Sequence, residues 1–147
     1  MKKIAFLLIT FLLICFASSL TLVSCNTEVK KEDLTKLNGY WEIKQVTLAN
    51  GENKDYKVNE TIDFFEIKDN EGFRQKVMPQ FDGKYKTNGI KENLKIFTVQ
   101  DTYFIECKTD YGKWNEEIIT LEDSTLVLKN KQNLIYTYKK YQPFSLK

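Results

Sequence analysis

The sequence predicts an all-β chain built as one small antiparallel up-and-down barrel. Three features carry that reading. Turn-forming clusters recur about every ten residues, the runs between them are rich in β-branched and aromatic residues, and no window past the N-terminal segment holds a helical period beyond two turns. Short connections between successive strands favour up-and-down order, in which each strand pairs with the next.

The turn signals are Asn50-Gly51, Asp69-Asn70-Glu71-Gly72, Asp82-Gly83, Asn88-Gly89, Gln100-Asp101, Asp110-Tyr111-Gly112, Glu122-Asp123-Ser124 and Asn130-Lys131-Gln132-Asn133. They bound strands near 40–49, 60–68, 72–78, 81–87, 93–99, 102–109, 114–121, 125–130 and 133–141. Pro79 and Pro143 fall between strands or after the last one, where a missing N–H costs least. Two strands change hydrophobic phase. Trp41 and Ile43 share one face while Val46 and Leu48 share the other, and Ile62 and Phe64 are followed by Phe65 and Ile67. Such a switch predicts a bulge or sharp bend, as in a sheet that closes on itself. A two-sheet sandwich is the structural alternative.

The N-terminus reads as a secretion signal. Met1-Lys2-Lys3 is positive, Ile4 to Ala17 is apolar but for Thr10, and small residues lead to Leu22-Val23-Ser24-Cys25. That ending resembles the lipobox of bacterial lipoproteins, which implies cleavage before Cys25 and lipidation of its thiol. The stretch 4–23 is long enough to span a bilayer, but an uncleaved anchor leaves a cysteine at this position unexplained. The chain then divides into a signal peptide at 1–24, a polar linker at 25–33 and a β-barrel domain at 34–147. Leu34 to Leu37 has room for one helical turn. Asn26, rather than aspartate, follows the cysteine, and by the lipoprotein sorting rule this implies the outer membrane.

The formal charge of +2 misleads once the signal is removed. Lys2 and Lys3 leave with it, so 22 − 2 = 20 basic residues face 20 acids. A balanced surface carries no footprint for nucleic acid and no polybasic patch for anionic lipid. Attachment to the membrane would rest on the acyl chains. Cys15 lies in the signal and Cys25 is the lipidation site, so Cys107 is left single and reads as a small buried hydrophobe.

Gly39-Tyr40-Trp41 opens the first strand and resembles the G-x-W motif of lipocalins. Thr109-Asp110-Tyr111 resembles the T-D-Y turn of the same family. Leu37-Asn38-Gly39-Tyr40-Trp41-Glu42-Ile43 is similar to the L-x-G-x-W-x-I opening of the small lipocalin-like lipoproteins of Gram-negative bacteria. The resemblance covers residues 34–141. It implies that Trp41 plugs the closed end of the barrel beside Gly39, with a basic residue of the last strand, Lys139 or Lys140, stacked across it. This chain departs from the full-length lipocalins in its short domain, its lysine at the closing position and its lack of a C-terminal helix.

Aromatic residues make up 14% of the chain, enough to line a pocket as well as fill a core. The candidate ligand-binding residues are Phe64, Tyr85, Phe97, Tyr103, Trp114 and Tyr136, with Tyr103 and Trp114 expected on adjacent strands. A fully packed aromatic core is the competing expectation. With no histidine, neither Cys–His activation nor a histidine-based metal site is available. Glu116 and Glu117 are adjacent on a strand and so point to opposite faces. No catalytic residues, cofactor or metal are expected. The expected function is an envelope module binding a small apolar or amphipathic molecule. The alternative is a non-catalytic accessory subunit or inhibitor that binds an envelope protein.

Overall fold

The structure, a computed structural model, describes residues 28–143. A short 3-10 helix, Lys31–Leu37, precedes nine strands: β1 (Gly39–Thr47), β2 (Asn53–Asp55), β3 (Ile62–Lys68), β4 (Glu71–Pro79), β5 (Tyr85–Val99), β6 (Thr102–Thr109), β7 (Gly112–Leu121), β8 (Thr125–Asn130) and β9 (Ile135–Lys140). Strands β3 to β9 pair antiparallel in chain order, and β1 pairs with both β3 and β9. The sheet thus closes into an eight-stranded ring, with β2 outside it. Closure removes the unpaired edges that an open sheet would present.

Local sequence explains the ring. Asp69-Asn70 and Gln100-Asp101 take positive φ at both positions, the geometry that joins twisted strands in two residues. Between Thr109 and Gly112 a two-residue turn is held by the Thr109 hydroxyl, which accepts the Tyr111 N–H at 3.2 Å. The phase change in β1 is a bulge at Lys44: Ile43 faces Tyr138, yet Gln45 faces Thr137. The bulge lets Val46 return to the buried side. In β3 the phase change has another cause. Its register with β4 runs unbroken from Ile62–Val77 to Lys68–Glu71, so no bulge is present. Both faces of β3 are covered instead. Phe65 joins the interior, while Phe64, on the outer face, packs against Tyr40 and Phe73 at ring distances of 4.8 and 6.0 Å.

Three segmental expectations are corrected. Strands read at 81–87 and 93–99 are one strand, β5. Asn88-Gly89 is a bulge within it: β4 advances two residues, Gln75 to Val77, while β5 advances four, Lys91 to Thr87. The Thr87 hydroxyl and the Asn88 carboxamide accept the N–H groups of Gly89 and Ile90, and Gly89 supplies a φ of +77°. Strand β2 was not legible because Asn53-Lys54-Asp55 is wholly polar. It is held by backbone pairing and by the side-chain bonds Gln45–Asp55 (2.8 Å) and Thr47–Asn53 (2.6 Å). The helix begins at Lys31, so Lys31-Glu32-Asp33, read as tether, belongs to it.

The bend in β5 also shapes the outside. Near the tip of the β4–β5 hairpin, Tyr85 stacks on Tyr40 at 4.2 Å and lies 6.5 Å from Tyr141, so the hairpin folds back over the outer face of β1 and β3. Ile62 and Val77 are buried there, apart from the interior cluster. Inside, Trp41, Phe65, Ile105, Leu126 and Leu128 form the centre of the core, and Leu34 and Leu37 of the helix seal one end.

Candidate functional site: the two ends of the barrel

The helix, Gly39 and Trp41 make the closed end. The Trp41 indole N–H donates to the Leu37 carbonyl at 2.8 Å, locking the helix to β1. Lys140, from β9, places its Nζ 4.2 Å from the Trp41 ring centroid. The same ammonium donates to the carbonyls of Lys36 (3.1 Å) and Asn38 (2.7 Å). Burial pulls the Lys140 pKa down, with Asp123 opposing. Gly39 has φ +107°, and a Cβ built there would lie 3.4 Å from Lys140 Nζ, so both backbone and space favour glycine. The other candidate lysine, Lys139, points outward and pairs with Glu42 at 3.0 Å. Asn38 completes the seal, accepting the Ile67 N–H (2.6 Å) and donating to the Ile67 carbonyl (3.1 Å).

At the opposite end the interior turns polar. A cleft of about 360 Å³ is lined by Asp63, Arg74, Lys76, Glu92, Trp114, Asn115, Glu116, Asn130, Lys131, Gln132, Tyr136 and Tyr138. Its floor is built around Arg74, the only arginine in the chain. The guanidinium donates through Nε to Glu92 at 2.6 Å and through its terminal nitrogens to both oxygens of Glu116 at 3.0 and 3.4 Å. It lies 5.5 Å over the Phe65 ring and 4.0 Å from Cys107 Sγ. The Trp114 indole N–H donates to Glu116 at 3.0 Å, so the aromatic wall and the charged floor are one network. Beside them Lys76 reaches Asp63 at 2.7 Å.

Position on the strands explains the cluster. Arg74 faces Phe65 on β3 and Glu92 on β5, and Glu116 faces Ile105 on β6 and Asn130 on β8. Alternation sends this set inward and sends Glu117 to the other face. Burial lowers the Arg74 pKa, but Glu116, and then Tyr138, Cys107 and Glu92, outweigh it and hold the group well above its ordinary value. Burial, with Glu116 second, pushes the Cys107 thiol up to about 12. The Tyr138 phenol is raised by burial first and by Asp63 next, and Tyr136 by burial and then Glu116.

The six aromatic candidates separate into three places. Trp114 and Tyr136 line the cleft. Tyr103 packs against the interior cluster, pairs with Thr98 on β5 and borders a different cleft, of about 440 Å³, with Val29, Gln100 and Asp101. Tyr103 and Trp114 are on adjacent strands as expected, but Trp114 faces Cys107 rather than Tyr103. Phe64 and Tyr85 belong to the outer aromatic cluster. Phe97 is also on the outer face, stacked on Phe104 at 5.5 Å. Cys25 lies outside the described residues. The residues missed from sequence are Asp63, Arg74, Glu92 and Glu116. A lone arginine in a lysine-rich chain was the available signal, because guanidinium suits buried bidentate pairing better than ammonium.

A barrel sealed at one end and cleft at the other is the plan of a small-ligand-binding β-barrel. The lipocalin-like domain profile matches residues 37–128, and the chain belongs to that family. In fold it is similar to a lipocalin-like protein from Bacteroides uniformis ATCC 8492, with 15% identity and a TM-score of 0.45, covering 72% of this chain and 99% of that one. An uncharacterized protein from Bacteroides eggerthii DSM 20697 aligns with 13% identity and a TM-score of 0.45, over 71% and 99% of the two chains. Apocrustacyanin C1 aligns with 11% identity and a TM-score of 0.45, over 79% and 67%. No curated protein matches the chain.

Proposed function

We propose that this protein is a non-catalytic, lipid-anchored envelope lipoprotein of the outer membrane whose open barrel end binds a small amphipathic molecule. The observation that carries the binding reading is the cleft of about 360 Å³ with Trp114 and Tyr136 on its walls and paired charge on its floor. Its volume is near the lower end of ligand sites, roughly 300–1,000 Å³, which suits a small guest. Of the apolar or amphipathic guest expected from the sequence, the amphipathic one is favoured by Arg74 and Glu116 in the floor of the cleft. The anchor reading rests on the order of charge, apolar run and Leu22-Val23-Ser24-Cys25.

Native mass spectrometry of protein purified from its envelope, looking for a co-purified small molecule, tests the first part. A mass equal to the polypeptide and its lipid alone, together with no response of tryptophan emission to a panel of amphipathic probes, overturns it. Cys25→Ala tests the second part: precursor should accumulate and labelling by a fatty-acid probe should vanish. A second function is favoured by one feature of the outer surface. Phe97, Phe104 and the half-exposed Val99 border an apolar cleft of about 360 Å³, a surface on which an envelope protein partner would dock.

A further inference from the structure

We propose that the guest of the barrel cleft is an organic cation: a protonated amine or quaternary ammonium carried on a compact apolar or aromatic body. This rests on the binding function proposed above and names the chemistry of that same site. The first argument is the balance of charge at depth. Three carboxylates line the cleft with side-chain exposures of 3% (Asp63), 9% (Glu116) and 30% (Glu92), against one buried cation, Arg74, at 9%. Lys76 neutralises Asp63 from the rim, where its own side chain is 58% exposed. Lys131 is exposed and its charge is screened by solvent. The whole lining, Lys131 included, balances at three acids and three bases, but both lysines are exposed at the rim, and at depth the buried carboxylates of Asp63 and Glu116 outnumber the one buried cation, Arg74.

The second argument is which groups are already engaged. Arg74 is held along both sides by Glu92 and Glu116, so an anionic guest would have to displace a protein carboxylate to reach it. The Lys76 ammonium is committed to Asp63 at 2.7 Å. Glu92 differs. Among the described residues only its Oε2 takes a side-chain hydrogen bond, from Arg74, which leaves Oε1 to face a guest. The third argument is the wall. Trp114 and Tyr136 border the same cleft, and aromatic rings beside carboxylates are the combination that recognises ammonium groups. The Trp114 indole N–H is fixed on Glu116, so the ring is held in place before any guest arrives.

The test compares three probes that share one ring and differ in charge: benzyltrimethylammonium, benzyl alcohol and benzylsulfonate, titrated by calorimetry and by tryptophan emission. In wild-type protein the cation should bind at least about tenfold more tightly than the other two, a gap of the size expected for one carboxylate partner and an aromatic wall. Glu92→Gln retains a hydrogen bond to Arg74 and removes one carboxylate charge from the cleft, so it should erase most of that preference. The wild-type ranking stands without the variant, should Glu92→Gln fold poorly. Equal or tighter binding of the alcohol or the sulfonate overturns the cation assignment and leaves the cleft as a binding site. Binding of none of the three, with tryptophan emission unchanged, overturns the binding function itself and the assignment with it.

Discussion

At each end of the barrel a cation lies against an aromatic ring, but the two are partnered differently. Lys140 stands 4.2 Å from the Trp41 ring and gives its protons to two neutral carbonyls. Arg74 lies 5.5 Å from the Phe65 ring and gives its protons to two carboxylates. The first arrangement stitches three chain segments together and leaves nothing for a guest. The second gathers charge inside a barrel and keeps it beside a cleft. Buried ion pairs contribute little net stability compared with well-packed apolar residues of the same volume. The polar end therefore makes sense as a place for recognition, and the closed end as the main source of stability.

Substitutions at the two ends test that contrast. Trp41→Ala should cost most, at the upper end of about 3–5 kcal/mol, because it opens a hole in the core and strips Lys140 of its ring. Urea denaturation measures this, and a midpoint close to wild type would refute the plug role. Arg74→Ala should cost about 3–4 kcal/mol by stranding Glu116 in a low-dielectric setting. The triple change Arg74→Met, Glu116→Leu and Glu92→Gln should recover most of that loss while abolishing cation binding. If the triple variant is no more stable than Arg74→Ala, the polar end is holding the fold after all. Lys140→Met keeps the aliphatic stem over Trp41 but loses two charge-assisted bonds, at a cost of about 1–3 kcal/mol. Lys139→Met, on the outward side of the same strand, should change stability by less than about 1 kcal/mol. Equal effects of the two would undo the assignment of Lys140 as the closing residue.

The last effect, confined to alkaline pH, concerns Cys107, which sits between the two ends. Its folded thiol is raised to about 12 from an ordinary value of 9. An unfolded chain releases that proton first as pH rises, so stability is lost between pH 9 and 12. Cys107→Val should make this alkaline decline shallower. Maleimide labelling of the native protein at pH 8 should be slow and should accelerate with denaturant in step with unfolding.

The ring was legible because its cues are local: two-residue turns and alternation of apolar side chains need no knowledge of neighbours. Trp41 and the turn at Thr109-Asp110-Tyr111 are placed instead by their resemblance to the G-x-W and T-D-Y motifs of lipocalins. The cleft was not legible, because its floor joins Arg74, Glu92 and Glu116 from β4, β5 and β7, each unremarkable in its own strand. Aromatic content directed attention to Phe64, Tyr85 and Phe97, yet the outer face takes all three: the bent β4–β5 hairpin gives β1 and β3 a second surface that holds Phe64 and Tyr85, and Phe97 stacks on Phe104 of β6. Parity along a strand tells which residues share a face. It does not tell whether that face looks inward when both faces are covered.

The bond from Lys140 to the Asn38 carbonyl spans 102 positions of sequence, and β1 meets β9 along the same seam. A chain made or delivered from its N-terminus therefore exposes one flank of β1 until β9 emerges, and partial products lack the seam altogether. Contacts of such separation are slow to form. The barrel is in this sense a clasp fastened by its last strand, so a nascent chain stays open for nearly the whole of its synthesis, and truncation before Ile135 should yield a protease-sensitive sheet rather than a shorter barrel.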